Sequence, residues 1–183
     1  MTDDESLRRV LLERSVERGD FVLASGRRSA YYIDCRRSTM SAEGMVLIGR
    51  MGWAAIQSSG WQPAAVGGLT MGADPVAYAI AAASFGSRHA VDAFSVRKEA
   101  KGHGTGRLIE GNFKAGARVV IVEDVITTGE SAQRAIQAIE ESGGSVVGVL
   151  AVVDRVVGGR RALEERGHPV VALTTVRELG LAP

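Results

Sequence analysis

The sequence predicts an α/β fold, a mostly parallel sheet flanked by helices. Three observations predict it. Short apolar segments alternate with amphipathic ones along most of the chain. One of them, Arg118-Val119-Val120-Ile121-Val122, is almost uninterrupted in its apolar character, as expected of a strand buried on both faces of a parallel sheet. No internal repeat, low-complexity tract or linker interrupts the alternation.

The elements follow in order. Leu7, Val10, Leu11, Leu12 and Val16 recur near helical spacing, with Arg8, Arg9, Glu13 and Arg14 filling the other face. They predict a helix over residues 4–17, ended by Gly19. Phe21-Val22-Leu23 and Tyr31-Tyr32-Ile33-Asp34 predict two short strands around the turn Ser25-Gly26-Arg27. Ser41 caps a second helix running to about Gln57, with Trp53 and Ile56 inward. Ala64-Ala65-Val66-Gly67 is a buried strand, and Pro75 suits the first turn of a helix over 76–83. Residues 91–96 form a strand. Residues 97–111 have no apolar period and are rich in glycine and charge, so they read as a loop, mobile at 102–106. After the strand at 118–122 comes a helix over 130–141, with Ala132, Ala135, Ile136 and Ile139 inward and Gly143-Gly144 closing it. A strand at 146–153, a short helix at 160–166 and a strand at 170–173 complete the alternation.

The 183 residues suit a single domain, residues 1–183, with enough chain for a core that needs no staples. Twenty-two Lys and Arg against twenty-one Asp and Glu argue against attraction to nucleic acid or membrane by bulk charge. One cysteine, Cys35, excludes an intramolecular disulfide framework and reads as a small packing residue. The acidic start, Thr2-Asp3-Asp4-Glu5, is the reverse of a signal peptide, and no apolar stretch has membrane-spanning length. A cytoplasmic location is the expectation. His89, His103 and His168 lack the spacing of a transition-metal site.

In open α/β sheets ligands sit beyond the carboxyl ends of the strands. The strongest signal there runs from Val119 to Ser131. An apolar strand delivers Glu123 and Asp124, and then Val125-Ile126-Thr127-Thr128-Gly129-Glu130-Ser131 turns into a helix. Backbone N–H groups at a helix start are unpaired and partly positive, and Thr and Ser hydroxyls add donors, so the turn is a phosphate cradle. Glu123 and Asp124 repel a phosphate but accept hydrogen bonds from hydroxyls or hold a divalent cation. A phosphate cradle beside two carboxylates suits a sugar phosphate. An acidic strand end followed by a Thr/Ser helix cap is the blander alternative.

A second segment, Arg97-Lys98-Glu99-Ala100-Lys101-Gly102-His103-Gly104, brings several cations together among glycines. Such a loop clamps a polyanion and releases it, or is simply a solvated basic loop. A third, Ser25-Gly26-Arg27-Arg28-Ser29-Ala30-Tyr31-Tyr32-Ile33, offers an aromatic face to a flat ring, or forms a half-buried strand. A fourth, Gly67-Gly68-Leu69-Thr70-Met71-Gly72-Ala73-Asp74-Pro75, joins a strand to a helix and lets N–H groups face an oxyanion. Finally, Val152-Val153-Asp154-Arg155 ends a strand with a guanidinium suited to a carboxylate, or to an ion pair at the strand end.

Taken together, these segments resemble the type I phosphoribosyltransferases. Val119 to Ser131 is similar to their signature for phosphoribosyl pyrophosphate (PRPP). The Arg-Lys-x-x-Lys-x-His-Gly pattern, with Ile109-Glu110-Gly111 downstream, resembles the catalytic loop of the orotate phosphoribosyltransferase branch. The resemblance spans Phe21 to Arg155 and implies the type I fold with a small N-terminal hood. It implies transfer of ribose 5-phosphate from PRPP to orotate, a pentosyl transfer giving orotidine 5′-monophosphate and pyrophosphate in pyrimidine biosynthesis.

By the same resemblance, PRPP binds Arg97, Lys98, Lys101, His103, Glu123, Asp124, Val125, Ile126, Thr127, Thr128, Gly129, Glu130 and Ser131. Lys98, Lys101 and His103 are the catalytic candidates, Lys98 reaching the neighbouring subunit's site. Orotate meets Tyr32, Ile33, Thr127 and Arg155. Mg²⁺ arrives on PRPP rather than in a protein cage. The loop excludes water, and the protein is a homodimer with shared sites. Two lysines common among relatives are replaced by Ala24 and Gly72. A transferase for another base and a non-enzymatic sensor of PRPP or nucleotides remain as alternatives.

Overall fold

The computed structural model describes residues 2–22, 28–99 and 108–182. Its elements run α1 (Asp3–Arg14), β1 (Val16–Val22), β2 (Arg28–Ile33), α2 (Arg36–Thr39), α3 (Ala42–Ser59), β3 (Ala65–Leu69) and α4 (Ala73–Ser84). They continue β4 (Asp92–Val96), β5 (Ile109–Gly111), β6 (Arg118–Ile126), α5 (Glu130–Glu141), β7 (Ser145–Asp154), α6 (Gly159–Glu164) and β8 (Val170–Thr175). The main sheet has the order β5-β4-β3-β6-β7-β8. All its pairings are parallel except β4 with β5. β1 and β2 form a separate antiparallel hairpin.

Strand alternation divides the core into two layers. On β6, Val120 and Val122 pack with Leu7, Leu11, Ile48, Ile56 and Ile80 of α1, α3 and α4. Val119 and Ile121 point the other way and pack with Ala135 and Ile139 of α5 and Leu163 of α6. Helices therefore cover both faces, as the alternation predicts. Among the described residues, no helix is long and apolar enough to cross a membrane. Cys35 is buried, as a packing residue should be.

Local chemistry explains most boundaries. The Thr2 hydroxyl and Glu5 carboxylate form a reciprocal capping box at the start of α1. The Ser41 hydroxyl accepts from the Gly44 N–H at the start of α3. Pro75 lies in the first turn of α4, and α5 spans the predicted residues.

Four expectations are corrected. The first helix stops at Arg14, not Glu17. The Ser15 hydroxyl turns inward onto Ser38, 2.6 Å away, and Val16 already pairs with Ile33 across the hairpin. Residues 109–111 are an edge strand rather than loop, with Gly111 at φ +91° opposite Phe94. The central strand continues through Glu123 and Asp124 to Ile126, because the ten-residue β7 gives it partners as far as Asp154. The last helix ends at Glu164 rather than Arg166. The short α2 was not predicted.

Candidate functional site

The carboxyl ends of β3, β6 and β7 open into a pocket of about 440 Å³. One wall comes from the hairpin and the residues after it: Tyr32, Ile33, Asp34, Cys35 and Arg36. Thr70, Met71 and Gly72 form the floor after β3. Glu123, Asp124, Val125, Thr127 and Ser131 follow along β6 into α5, and Lys98 and Arg155 complete the rim. A small cleft continues over Thr128, Gly129, Glu130 and Ser131.

The cradle is built by close backbone approach. Gly129, at φ +82°, is the N-cap of α5. It sits against Gly159, where a Cβ would lie 2.1 Å from the Thr127 carbonyl oxygen. The turn is therefore held tightly against the start of α6, leaving the first N–H groups of α5 facing the cleft. The Thr128 hydroxyl lies 3.5 Å from the Glu130 N–H.

The two carboxylates differ. Asp124 accepts from the Val125 N–H at 2.9 Å. Burial raises its pKa, and that hydrogen bond and the charge of Arg36 pull it partway back. Glu123 is buried, and its Oε1 has no hydrogen-bond partner among the described residues. Burial, with the Asp124 charge adding to it, pushes Glu123 up from 4.5 to about 8.

This has a consequence for stability. Between pH 4.5 and about 8 the folded protein holds a proton at Glu123 that the unfolded chain has released. The stabilisation from this group is present in acid and lost as pH rises through about 8. Thermal unfolding from pH 6 to 8 should show the wild type losing roughly 5 °C more than Glu123→Gln, about 2 kcal/mol. Parallel pH slopes for the two proteins would show that Glu123 is not held protonated.

Arg155 is set by the turn after β7. Asp154 is buried and accepts from the Val156 N–H at 2.8 Å, while the Arg155 N–H donates to the Ile126 carbonyl at 3.0 Å. The guanidinium lies 5.2 Å over the Tyr31 ring. Its Nε is buried with no hydrogen-bond partner among the described residues. One pocket thus holds a buried acidic oxygen and a buried guanidinium nitrogen, both without partners, at two of its walls.

The pocket gathers Tyr32, Ile33, Lys98, Glu123, Asp124, Val125, Thr127, Ser131 and Arg155 from the residues singled out in the sequence. Lys98 lines the pocket of its own chain, where the resemblance assigns it to a neighbouring subunit. Ile126 contributes its backbone, since its side chain is buried in the core. Arg97 is not brought in. Its N–H donates to the Leu108 carbonyl, and its guanidinium lies 3.5 Å from Glu110, whose strand β5 was not foreseen. Lys101 and His103, with Ala24 and the turn at 25–27, lie outside the described residues. Sequence reasoning missed Asp34 and Arg36. Their signal was the Asp-x-Arg spacing straight after a strand, which lets the aspartate accept from the Arg36 N–H.

Residues 42–176 match the family model for the phosphoribosyl transferase domain. The chain is 46% identical over 173 residues to the orotate phosphoribosyltransferase of Rhodopirellula baltica, covering 92% of this chain and 90% of that protein. It is 45% identical over 182 residues to that of Aquifex aeolicus, covering 98% of each. Among solved structures, it is similar to the Mycobacterium tuberculosis H37Rv orotate phosphoribosyltransferase in complex with PRPP. The TM-score is 0.83 with 40% identity, covering 98% of this chain and 100% of that one. The same enzyme in complex with Fe(III) dicitrate gives a TM-score of 0.87 with 43% identity and the same coverage.

Proposed function

The chain belongs to the phosphoribosyl transferase family and, within it, to the orotate phosphoribosyltransferases, and from that premise we propose which of its residues do what. The enzyme transfers ribose 5-phosphate from PRPP to orotate. A ring nitrogen of orotate gives up its proton to solvent and forms the new bond to the anomeric carbon, the bond from that carbon to the pyrophosphate oxygen breaks, and pyrophosphate leaves with the electron pair. Charge develops at the anomeric carbon as in glycoside chemistry, so the protein's work is positioning and electrostatics.

The observation that carries the assignment is the pair of unpartnered buried groups in one pocket, Glu123 Oε1 and Arg155 Nε. A ribose diol satisfies the first and the carboxylate of orotate the second. Thr127 to Ser131 take the 5′-phosphate at the start of α5, and Asp124 accepts from the second ribose hydroxyl. Tyr32 and Ile33 lie along the base. Lys98 faces the pyrophosphate, and Lys101 and His103 neutralise or protonate it as it leaves. Mg²⁺ enters as part of the substrate, on the pyrophosphate. Asp124 would accept from the waters of an ion carried there.

The same reading takes the chain as one domain, located in the cytoplasm, and as a homodimer with sites shared across its interface. Sedimentation showing only monomer at micromolar concentration would remove the dimer. The activity is tested by following orotate absorbance with PRPP and Mg²⁺ while measuring pyrophosphate. Equal amounts of orotate consumed and pyrophosphate released are expected. Pyrophosphate release with a purine base but not orotate would move the protein to a sister transferase. PRPP binding without turnover on any base would make it a sensor.

A further inference from the structure

We infer that Arg36 is a fixed substrate-binding cation of this site, one that meets the pyrophosphate end of PRPP. The inference rests on the PRPP reading above and assigns a residue which that reading leaves without a role.

Arg36 begins α2, two residues beyond Asp34, and lines the pocket with it. Its Nε donates to Asp34 Oδ1 at 2.8 Å and its Nη2 to Oδ2 at 3.0 Å, the two-pronged geometry that guanidinium and carboxylate share. Asp34 is itself anchored, its N–H donating to the Ser15 carbonyl at 3.0 Å. The fork is therefore oriented before any ligand arrives. Arg36 Nη1 makes no hydrogen bond to any described residue, and the side chain stays about half exposed. The hydrogen bonds from Arg36 hold the Asp34 carboxyl below the usual carboxylate range, so the pair stays charged.

Among the described residues, the loop after β3 brings no cation to the pocket. The Asp124 carboxylate packs onto Gly72, where a Cβ would lie 2.6 Å from Oδ1. A long basic side chain at position 72 would have to displace Asp124, and none of Thr70, Met71 and Gly72 carries a charge. Asp34, Asp124 and Glu123, the last held protonated near neutral pH, line the pocket with Arg36, Lys98 and Arg155. Arg155 answers the base and Arg97 is turned to Glu110. A polyanion entering here meets Lys98 and Arg36, both of which line the pocket. Arg36 is the one whose direction the protein itself fixes, through Asp34.

The alternative is a strut, in which Arg36 only ties the start of α2 to the end of β2. Titration of PRPP with Mg²⁺ into wild type, Arg36→Ala, Arg36→Lys and Arg37→Ala separates the two, with thermal unfolding alongside. Arg37, paired with Glu17 outside the pocket, controls for net charge. The expected result for Arg36→Ala is PRPP affinity weaker by roughly 10- to 100-fold, with KM for orotate within about twofold. Arg36→Lys should recover part of the affinity, and Arg37→Ala should bind like the wild type. Unchanged PRPP affinity in Arg36→Ala would overturn the inference, as would an equal loss for orotate and PRPP together with a lowered melting temperature. A wild type that binds PRPP but ignores orotate would sink the orotate assignment while the Arg36 comparison still decides this one. A wild type that binds no PRPP would overturn both.

Discussion

Arg155→Ala should raise KM for orotate by about 100-fold while leaving PRPP affinity within about twofold. The split follows from where the guanidinium sits. It lies over Tyr31 at the β7 edge of the pocket, with a buried Nε that no described residue satisfies. The phosphate cradle lies on the preceding helix, at the start of α5. Loss of two charge-assisted hydrogen bonds to a carboxylate accounts for the size of the effect. Arg155→Lys should recover only a small part, because a lysine ammonium cannot reproduce the planar fork. Initial rates with orotate varied at saturating PRPP, then the reverse, read the split directly. A rise in both constants would mean that Arg155 holds the turn rather than the base.

Lys101→Ala should lower kcat by about 100-fold or more, with a smaller change in KM for orotate. Lys101 lies outside the described residues, so the expectation rests on the resemblance of its segment, Arg97 to Gly104, to the family's catalytic loop. The Arg97 N–H donates to the Leu108 carbonyl, and Val96 pairs with Ile109. Arg134 of α5 donates to the Lys98 carbonyl at 2.9 Å and ties that point to the helix carrying the cradle. Lys98 lines the pocket. The resemblance assigns Lys101 to the departing pyrophosphate. Single-turnover measurements should show the loss in the chemical step. Unchanged turnover would leave Lys101 no part in the reaction.

The legible parts of this protein are those whose causes are local. The apolar run at Val119 to Val122 announces a central strand, and the small apolar residues from Ala132 to Ile139 announce α5. The cradle between them is readable because glycine and hydroxyl residues stand where a helix starts. Arg155 was readable as a strand-end guanidinium, and only the resemblance directed it toward orotate. What escaped depends on distant partners. Nothing near Val122 says that β6 continues, because its extension is set by the length of β7. Nothing near Arg14 says that α1 stops, because Ser15 answers to Ser38. Arg97 reads as one more cation of the loop until β5 places Glu110 beside it. Arg36 reads as a surface charge until the hairpin folds it over the sheet. Composition argued against bulk attraction to nucleic acid, but it held no information about which base the pocket takes.

The most direct test of the account is a competition between orotate and uracil for the wild-type enzyme at fixed PRPP and Mg²⁺, with pyrophosphate release as the readout. The two bases share a ring and differ by the carboxylate that Arg155 is assigned to hold. The account predicts a kcat/KM for orotate at least 100-fold above that for uracil. Equal use of the two bases would contradict it, because the Arg155 guanidinium, assigned to the carboxylate, would then be reading nothing.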